Sequence, residues 1–152
     1  MVEIGEQAPD FELTSDKGEQ IKLSNFLGRN VILYFYPKAD TSGCTKQACA
    51  LRDVYPQIVA GDAVVIGISP DPIDALVKFR EKYSLPFHLL SDPDHKVAEM
   101  YGAWGDKQMY GKTYQGIIRS HFVVDSKGRF TEVKLKAQPL STAEMALKII
   151  EL

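Results

Sequence analysis

The chain has 152 residues, 45% of them apolar and 25% charged, with a formal net charge of −2. That is enough apolar material for one soluble unit over residues 1–152 and leaves little room for a second. Lys and Arg are scattered among acids, which argues against nucleic acid or an anionic membrane as partner; runs such as "VILYFY" are too short to span a bilayer, and "MVEIGEQAPD" lacks the blocks of a signal peptide, so cytoplasmic residence is expected.

In chain order, "FELTSDKGEQIKL" has two alternating segments around a turn at Asp16, Lys17 and Gly18, an N-terminal β-hairpin. "NVILYFYP" is nearly continuous in apolar residues and stops at Pro37, as a strand buried on both faces does. Leu51, Val54, Tyr55 and Ile58 then recur at three- and four-residue steps, the stripe of a helix with one buried face. "AVVIGIS" is a second buried strand, completing a parallel crossover.

Asp71–Pro72 and Asp92–Pro93 each read as an N-cap followed by proline in the first helical position, with "PFHLLS" a short strand between the two helices. "IIRSHFVVDSKGRFTEVKLK" gives an antiparallel hairpin around Ser126, Lys127 and Gly128. Ser141 with Glu144 three residues on forms a capping box for the last helix. This order predicts an α/β, thioredoxin-like fold, a central mixed sheet flanked by helices.

Both cysteines lie in "PKADTSGCTKQAC". Cys44 falls in the first turn of the helix, behind three plausible caps in Thr41, Ser42 and Gly43, where unpaired N–H groups and the dipole favour an ionised thiol. In an unbroken helix Cys44 and Cys49 would have Cα atoms roughly 8.6 Å apart, beyond the reach of a disulfide. They could join only after the helix start unwinds, which suits a redox cycle. Inert buried thiols fit the same spacing, whereas a metal site finds no ligand pattern with His88, His95 or His121.

"YFYPKADTSGCTKQACALRD" resembles the active-site segment of the peroxiredoxins: Pro, three residues, Thr or Ser, two residues, Cys, here Pro37, Thr41 and Cys44. "YGAWGDKQMYGKTYQGIIRSHFVVD" is similar to the segment carrying that family's active-site arginine, here Arg119. A cysteine five residues after the first, with the "YGAWG" and "YGK" stretch, matches the bacterioferritin comigratory protein or peroxiredoxin Q branch.

The resemblance implies that Cys44 is the peroxidatic nucleophile and Cys49 the resolving thiol. Thr41 and Arg119 would bind the peroxide oxygens, and Pro37 would shield the sulfur. Hydrogen peroxide or an organic hydroperoxide would be reduced at the expense of a thioredoxin-type dithiol, by a monomer needing no metal or organic cofactor. Two other activities share such a fold: a general thiol–disulfide oxidoreductase, although the usual C-x-x-C pair is missing, and a non-catalytic redox sensor.

Four positions depart from the commoner pattern of the family, namely Ser42 for proline, Gln47 for glutamate, Leu51 for phenylalanine and His121 for threonine. Gln47, one turn beyond Cys44, would leave the field of a nearby Arg less compensated than glutamate would. His121 shares a strand face with Arg119 by alternation and reads as structural or partly exposed rather than as a base. His88 and His95 read as strand and surface residues. Trp104 and its neighbouring tyrosines either line the entrance for a hydroperoxide or pack under a long loop.

Overall fold

The structure is a computed structural model and describes residues 2–150. Strand β3 (Asn30–Phe35) is buried at five of its six positions, as its apolar run requires, and lies deep within a seven-stranded sheet. It pairs in parallel with β4 (Ala63–Ser69), Leu33 opposite Ile66, and β4 pairs in parallel with β5 (His88–Ser91). Parallel neighbours need long crossovers, supplied here by helices α1 (Ser42–Ala60) and α2 (Ile73–Tyr83).

The N-terminal hairpin, β1 (Glu12–Ser15) and β2 (Gln20–Lys22), adds antiparallel to β5, with Gly18 at φ +80° in its turn. On the other side β8 (Ser120–Val124) lies antiparallel to β3, placing His121 opposite Tyr34, and β9 (Phe130–Lys134) completes the order β2-β1-β5-β4-β3-β8-β9. The mixed sheet, its flanking helices and the hairpin are those the sequence predicts.

The sheet divides the core in two. Ile32, Tyr34 and Tyr36 face a layer built with α1, α2 and α4 (Ser141–Ile150), while Val31, Leu33 and Phe35 face a layer containing Phe11, Tyr101, Phe122 and Phe130. Period-two alternation along β3 is what sorts these side chains.

Local expectations are corrected at five places. Asp71 does not cap α2: the N-cap position falls on Pro72, which has no polar side chain to cap with, and the Asp71 carboxylate instead accepts hydrogen bonds from Ala39 N–H (2.7 Å) and the Ser69 hydroxyl (2.8 Å). α3 (Lys96–Met100) begins later than Asp92–Pro93 implies, behind His95 at φ +49°; the Asp92 carboxylate reaches forward to the N–H groups of Val97 and Ala98. No capping box forms at Ser141, whose hydroxyl donates to the Gln138 carbonyl at 2.8 Å. Tyr55 and Val54 are only half-buried beside the fully buried Leu51 and Ile58.

The fifth correction is the segment after Trp104. It forms an antiparallel ribbon, β6 (Trp104–Met109) with β7 (Lys112–Ile117), rather than a loop, and the Trp104 ring lies flat on His95 with centroids 3.6 Å apart.

Candidate active site

β3 delivers the chain to a short loop, residues 36–41, and α1 starts at Ser42. Two acids fix that loop. Asp71 holds Ala39 as described, and Asp40, at φ +61°, accepts from the Tyr83 hydroxyl (2.6 Å) and Lys82 Nζ (2.9 Å). Those hydrogen bonds hold the Asp40 carboxyl below the usual carboxylate range.

Thr41 is the N-cap residue by backbone conformation, yet its hydroxyl donates back to the Lys38 carbonyl at 2.7 Å instead of capping. The first turn of α1 closes with Thr45 N–H on the Thr41 carbonyl at 2.8 Å, so the N–H groups of Ser42, Gly43 and Cys44 precede any helical partner. Cys44 Sγ sits at this electropositive end, its residue 1% exposed, against Tyr34, Tyr36, Ala48 and Leu51. Cys49 lies five residues on, half-buried; both thiols are free and the helix between them is unbroken.

Arg119 comes from the segment joining β7 to β8, and its carbonyl is anchored by Ala137 N–H at 2.7 Å. Its guanidinium forks: Nη2 donates to Cys44 Sγ at 3.4 Å and Nη1 to Gln47 Oε1 at 2.6 Å. Gly43 makes the approach possible, since a Cβ there would lie 2.9 Å from Nη2. Behind Gln47 a buried polar chain continues, Gln47 Nε2 donating to Thr142 Oγ1 at 3.0 Å and Thr142 Oγ1 lying 2.9 Å from His121 Nδ1. Burial, assisted by the nearby Lys134 charge, pushes the His121 pKa down to about 4, so its ring is neutral at pH 7.

A cleft of about 720 Å³ opens over the guanidinium, bounded by Pro37 and Arg119 on one side and by Asp106, Lys107 and Thr113 of the ribbon on the other. Lys107 donates to the Ile117 carbonyl at 2.8 Å, and desolvation, with the Arg119 charge second, lowers its pKa. The structure thus gathers Pro37, Cys44 and Arg119. It leaves Thr41 exposed at the helix start and keeps Cys49 apart from Cys44. Sequence reading gave Gly43 and Asp71 only as capping residues and missed Lys107 and Thr142. Of the two missed, only Lys107 carried a signal, its place in the "YGAWGDKQMYGK" stretch.

Residues 4–133 match the AhpC/TSA family model. The chain is 48% identical to the peroxiredoxin Bcp of Bacillus subtilis over 139 residues, 89% of this chain and 88% of that protein. In structure it resembles the peroxidoxin BcpB of Mycobacterium tuberculosis, with a TM-score of 0.87 at 33% identity, covering 99% of this chain and 97% of that one. It also resembles a bacterioferritin comigratory protein of Xanthomonas campestris, whose trapped intermediate and ligand complexes bear on its alkyl peroxide reduction activity (TM-score 0.89, 27% identity, 99% and 96% covered). A cysteine at a helix start under an arginine, on this fold and with these relatives, places the chain in the AhpC/TSA family, among the thiol peroxidases of the Bcp and peroxiredoxin Q branch.

Proposed function

We propose that Cys44 is the sulfur that attacks the peroxide, and the observation that carries this is the Arg119 Nη2 to Sγ contact of 3.4 Å at the start of α1. A permanent cation and unpaired helix N–H groups support a negative sulfur there and charge developing on the leaving oxygen. Cys44 as thiolate displaces one oxygen of the hydroperoxide: the S–O bond forms as the O–O bond breaks, sulfur is oxidised to sulfenic acid, and the alkoxide or hydroxide takes a proton from solvent. The Cys49 thiol then condenses with the sulfenic acid, forming the disulfide and releasing water. A dithiol protein of the thioredoxin type returns two electrons to restore both thiols.

Thr41 has its hydroxyl proton committed to Lys38, so its oxygen is free to accept from the peroxide O–H. Pro37 sits at the cleft wall, where its ring limits water around the reacting sulfur. Condensation requires the first turns of α1 to unwind, because the unbroken helix keeps Cys44 and Cys49 too far apart. We place the protein in the cytoplasm, acting as a monomer on hydrogen peroxide and organic hydroperoxides.

The test is peroxide-dependent NADPH oxidation through a thioredoxin system. Cys44→Ser is expected to abolish turnover. Cys49→Ser is expected to form one equivalent of dimedone-reactive sulfenic acid and to stop cycling on thioredoxin. Wild-type turnover in Cys44→Ser would overturn the assignment of the nucleophile. Full cycling in Cys49→Ser would overturn that of the resolving thiol.

A further inference from the structure

The polar chain behind Arg119 has a direction that elementary donor and acceptor counting fixes. A guanidinium only donates, so the end of Gln47 facing Nη1 at 2.6 Å is its oxygen. Its NH2 end must then face Thr142 Oγ1, at 3.0 Å, and the hydroxyl oxygen accepts. The hydroxyl has one proton left to give, and His121 Nδ1 lies 2.9 Å away. Gln47 and Thr142 are fully buried and His121 is 3% exposed, so each polar group left without a partner here would oppose folding. His121 is neutral at pH 7, its pKa pushed down by burial, which leaves a ring nitrogen able to accept.

We propose that Thr142 and His121 are positioning residues for Arg119: the imidazole accepts the hydroxyl's hydrogen bond, the hydroxyl can then only accept from Gln47, and the amide is locked with its oxygen toward the guanidinium. This rests on the reading of Arg119 and Cys44 given above. Without the lock, the Thr142 hydroxyl could donate to Gln47 and favour the flipped amide, which would present NH2 to the guanidinium and push Nη2 away from Sγ. The lock ties the start of α4 to the start of α1, so Arg119 is held from behind as well as from the sulfur. Gln47 and His121, two of the four positions that depart from the family's commoner pattern, form the two flanks of Thr142.

The direction of the chain makes the histidine tautomer an observable. In the wild-type protein the chain requires Nδ1 without a proton and Nε2–H. In Gln47→Glu the carboxylate is an acceptor, accepts the Thr142 hydroxyl's hydrogen bond, and leaves His121 to donate from Nδ1 to the Thr142 oxygen. Nitrogen-15 NMR of the imidazole at pH 7 is expected to show the Nε2–H form in the wild type and the Nδ1–H form in Gln47→Glu. The Nδ1–H form in the wild type, or no change of tautomer in the variant, would overturn the proposal.

Kinetics give the second arm, as the rate constant for oxidation of Cys44 by hydrogen peroxide, with Arg119→Met as reference. Thr142→Val is expected to slow oxidation roughly tenfold, less than Arg119→Met, and Thr142→Ser to return it to within about twofold. Slow Arg119→Met with wild-type speed in Thr142→Val, or a Thr142→Ser protein as slow as Thr142→Val, would refute the lock alone. Wild-type speed in Arg119→Met would remove the reading of Arg119 and the lock with it. Should Thr142→Val fail to fold, the tautomer measurement decides by itself.

Discussion

His121 and Phe122 are adjacent in β8 and look into opposite halves of the molecule. On the Phe122 side the layer is an aromatic cluster packed edge to face: Phe122 meets Phe35 at 5.8 Å and 87° and Tyr101 at 5.4 Å and 74°. Its one phenol in that cluster is satisfied, Tyr101 donating to the Pro9 carbonyl at 2.5 Å. The His121 side carries Cys44, Gln47 and Thr142, and two phenols, Tyr34 and Tyr36, whose buried hydroxyls have no partner among the described residues. One face of the sheet is organised for stability, and the other gives some of it up to hold polar groups where the chemistry is.

The comparison is tested most strongly at Phe122. Phe122→Ala should cost about 3–5 kcal/mol in denaturant unfolding, because a ring is lost from a close-packed aromatic cluster. The remaining folded protein should keep its rate of oxidation by peroxide. A loss of rate in step with stability would show that the two layers are not separable.

Next in size is the pH response of the polar face. An unfolded His121 binds its proton near 6.5 and the folded one only near 4, so between those values the unfolded state takes up the proton first. Stability is therefore fully present above pH 6.5 and is lost as pH falls toward 4, by on the order of 3 kcal/mol. Burial also lowers the pKa of His88, which adds a loss of the same sign. Comparing wild type with His121→Thr at pH 7 and pH 4.5 cancels the His88 share. The variant should show the shallower acid slope, and equal slopes would remove His121 as its source.

Gly43→Ala separates activity from stability at one atom. The added methyl would sit 2.9 Å from Arg119 Nη2, the far end of a flexible side chain, so the guanidinium moves and the backbone need not. Alanine favours the helix by up to about 1 kcal/mol over glycine. Oxidation by peroxide is expected to slow roughly tenfold while thermal stability holds or rises. Parallel loss of both would mean that the glycine serves the fold.

The same contrast between faces explains what could be read from the sequence. β3 and β4 are legible because burial on both faces leaves unbroken apolar runs, and the hairpins because their turns carry Gly18 and Gly128 at positive φ. The β6–β7 ribbon has no such mark: most of its side chains are exposed or half-exposed, so neither face shows an apolar period. Asp92 is a capping acid misplaced by its own reach, since it serves N–H groups five and six residues on. Cys44, Arg119 and Pro37 are legible as a spacing. The link from Gln47 to Thr142 is not, because the partners are 95 residues apart and meet only when α4 docks on α1.

The smallest effect bears most directly on whether the polar face sacrifices stability. The Tyr34 ring is fully buried, stacked on Tyr36 at 5.4 Å, and fits because residue 67 is glycine, where a Cβ would lie 2.8–2.9 Å from the Tyr34 ring and hydroxyl. Its hydroxyl finds no partner among the described residues, and burial above all holds the phenol's pKa well above its ordinary value, so it is never ionised at neutral pH. Tyr34→Phe keeps the ring and its contacts and removes only the unpaired oxygen. Such a change should stabilise the protein by about 1 kcal/mol, because the desolvation of that hydroxyl is no longer opposed to folding. Oxidation of Cys44 should proceed at the wild-type rate. A loss of stability would mean that a buried water satisfies the hydroxyl, and the face would then give up less for its chemistry than its unpaired phenols indicate.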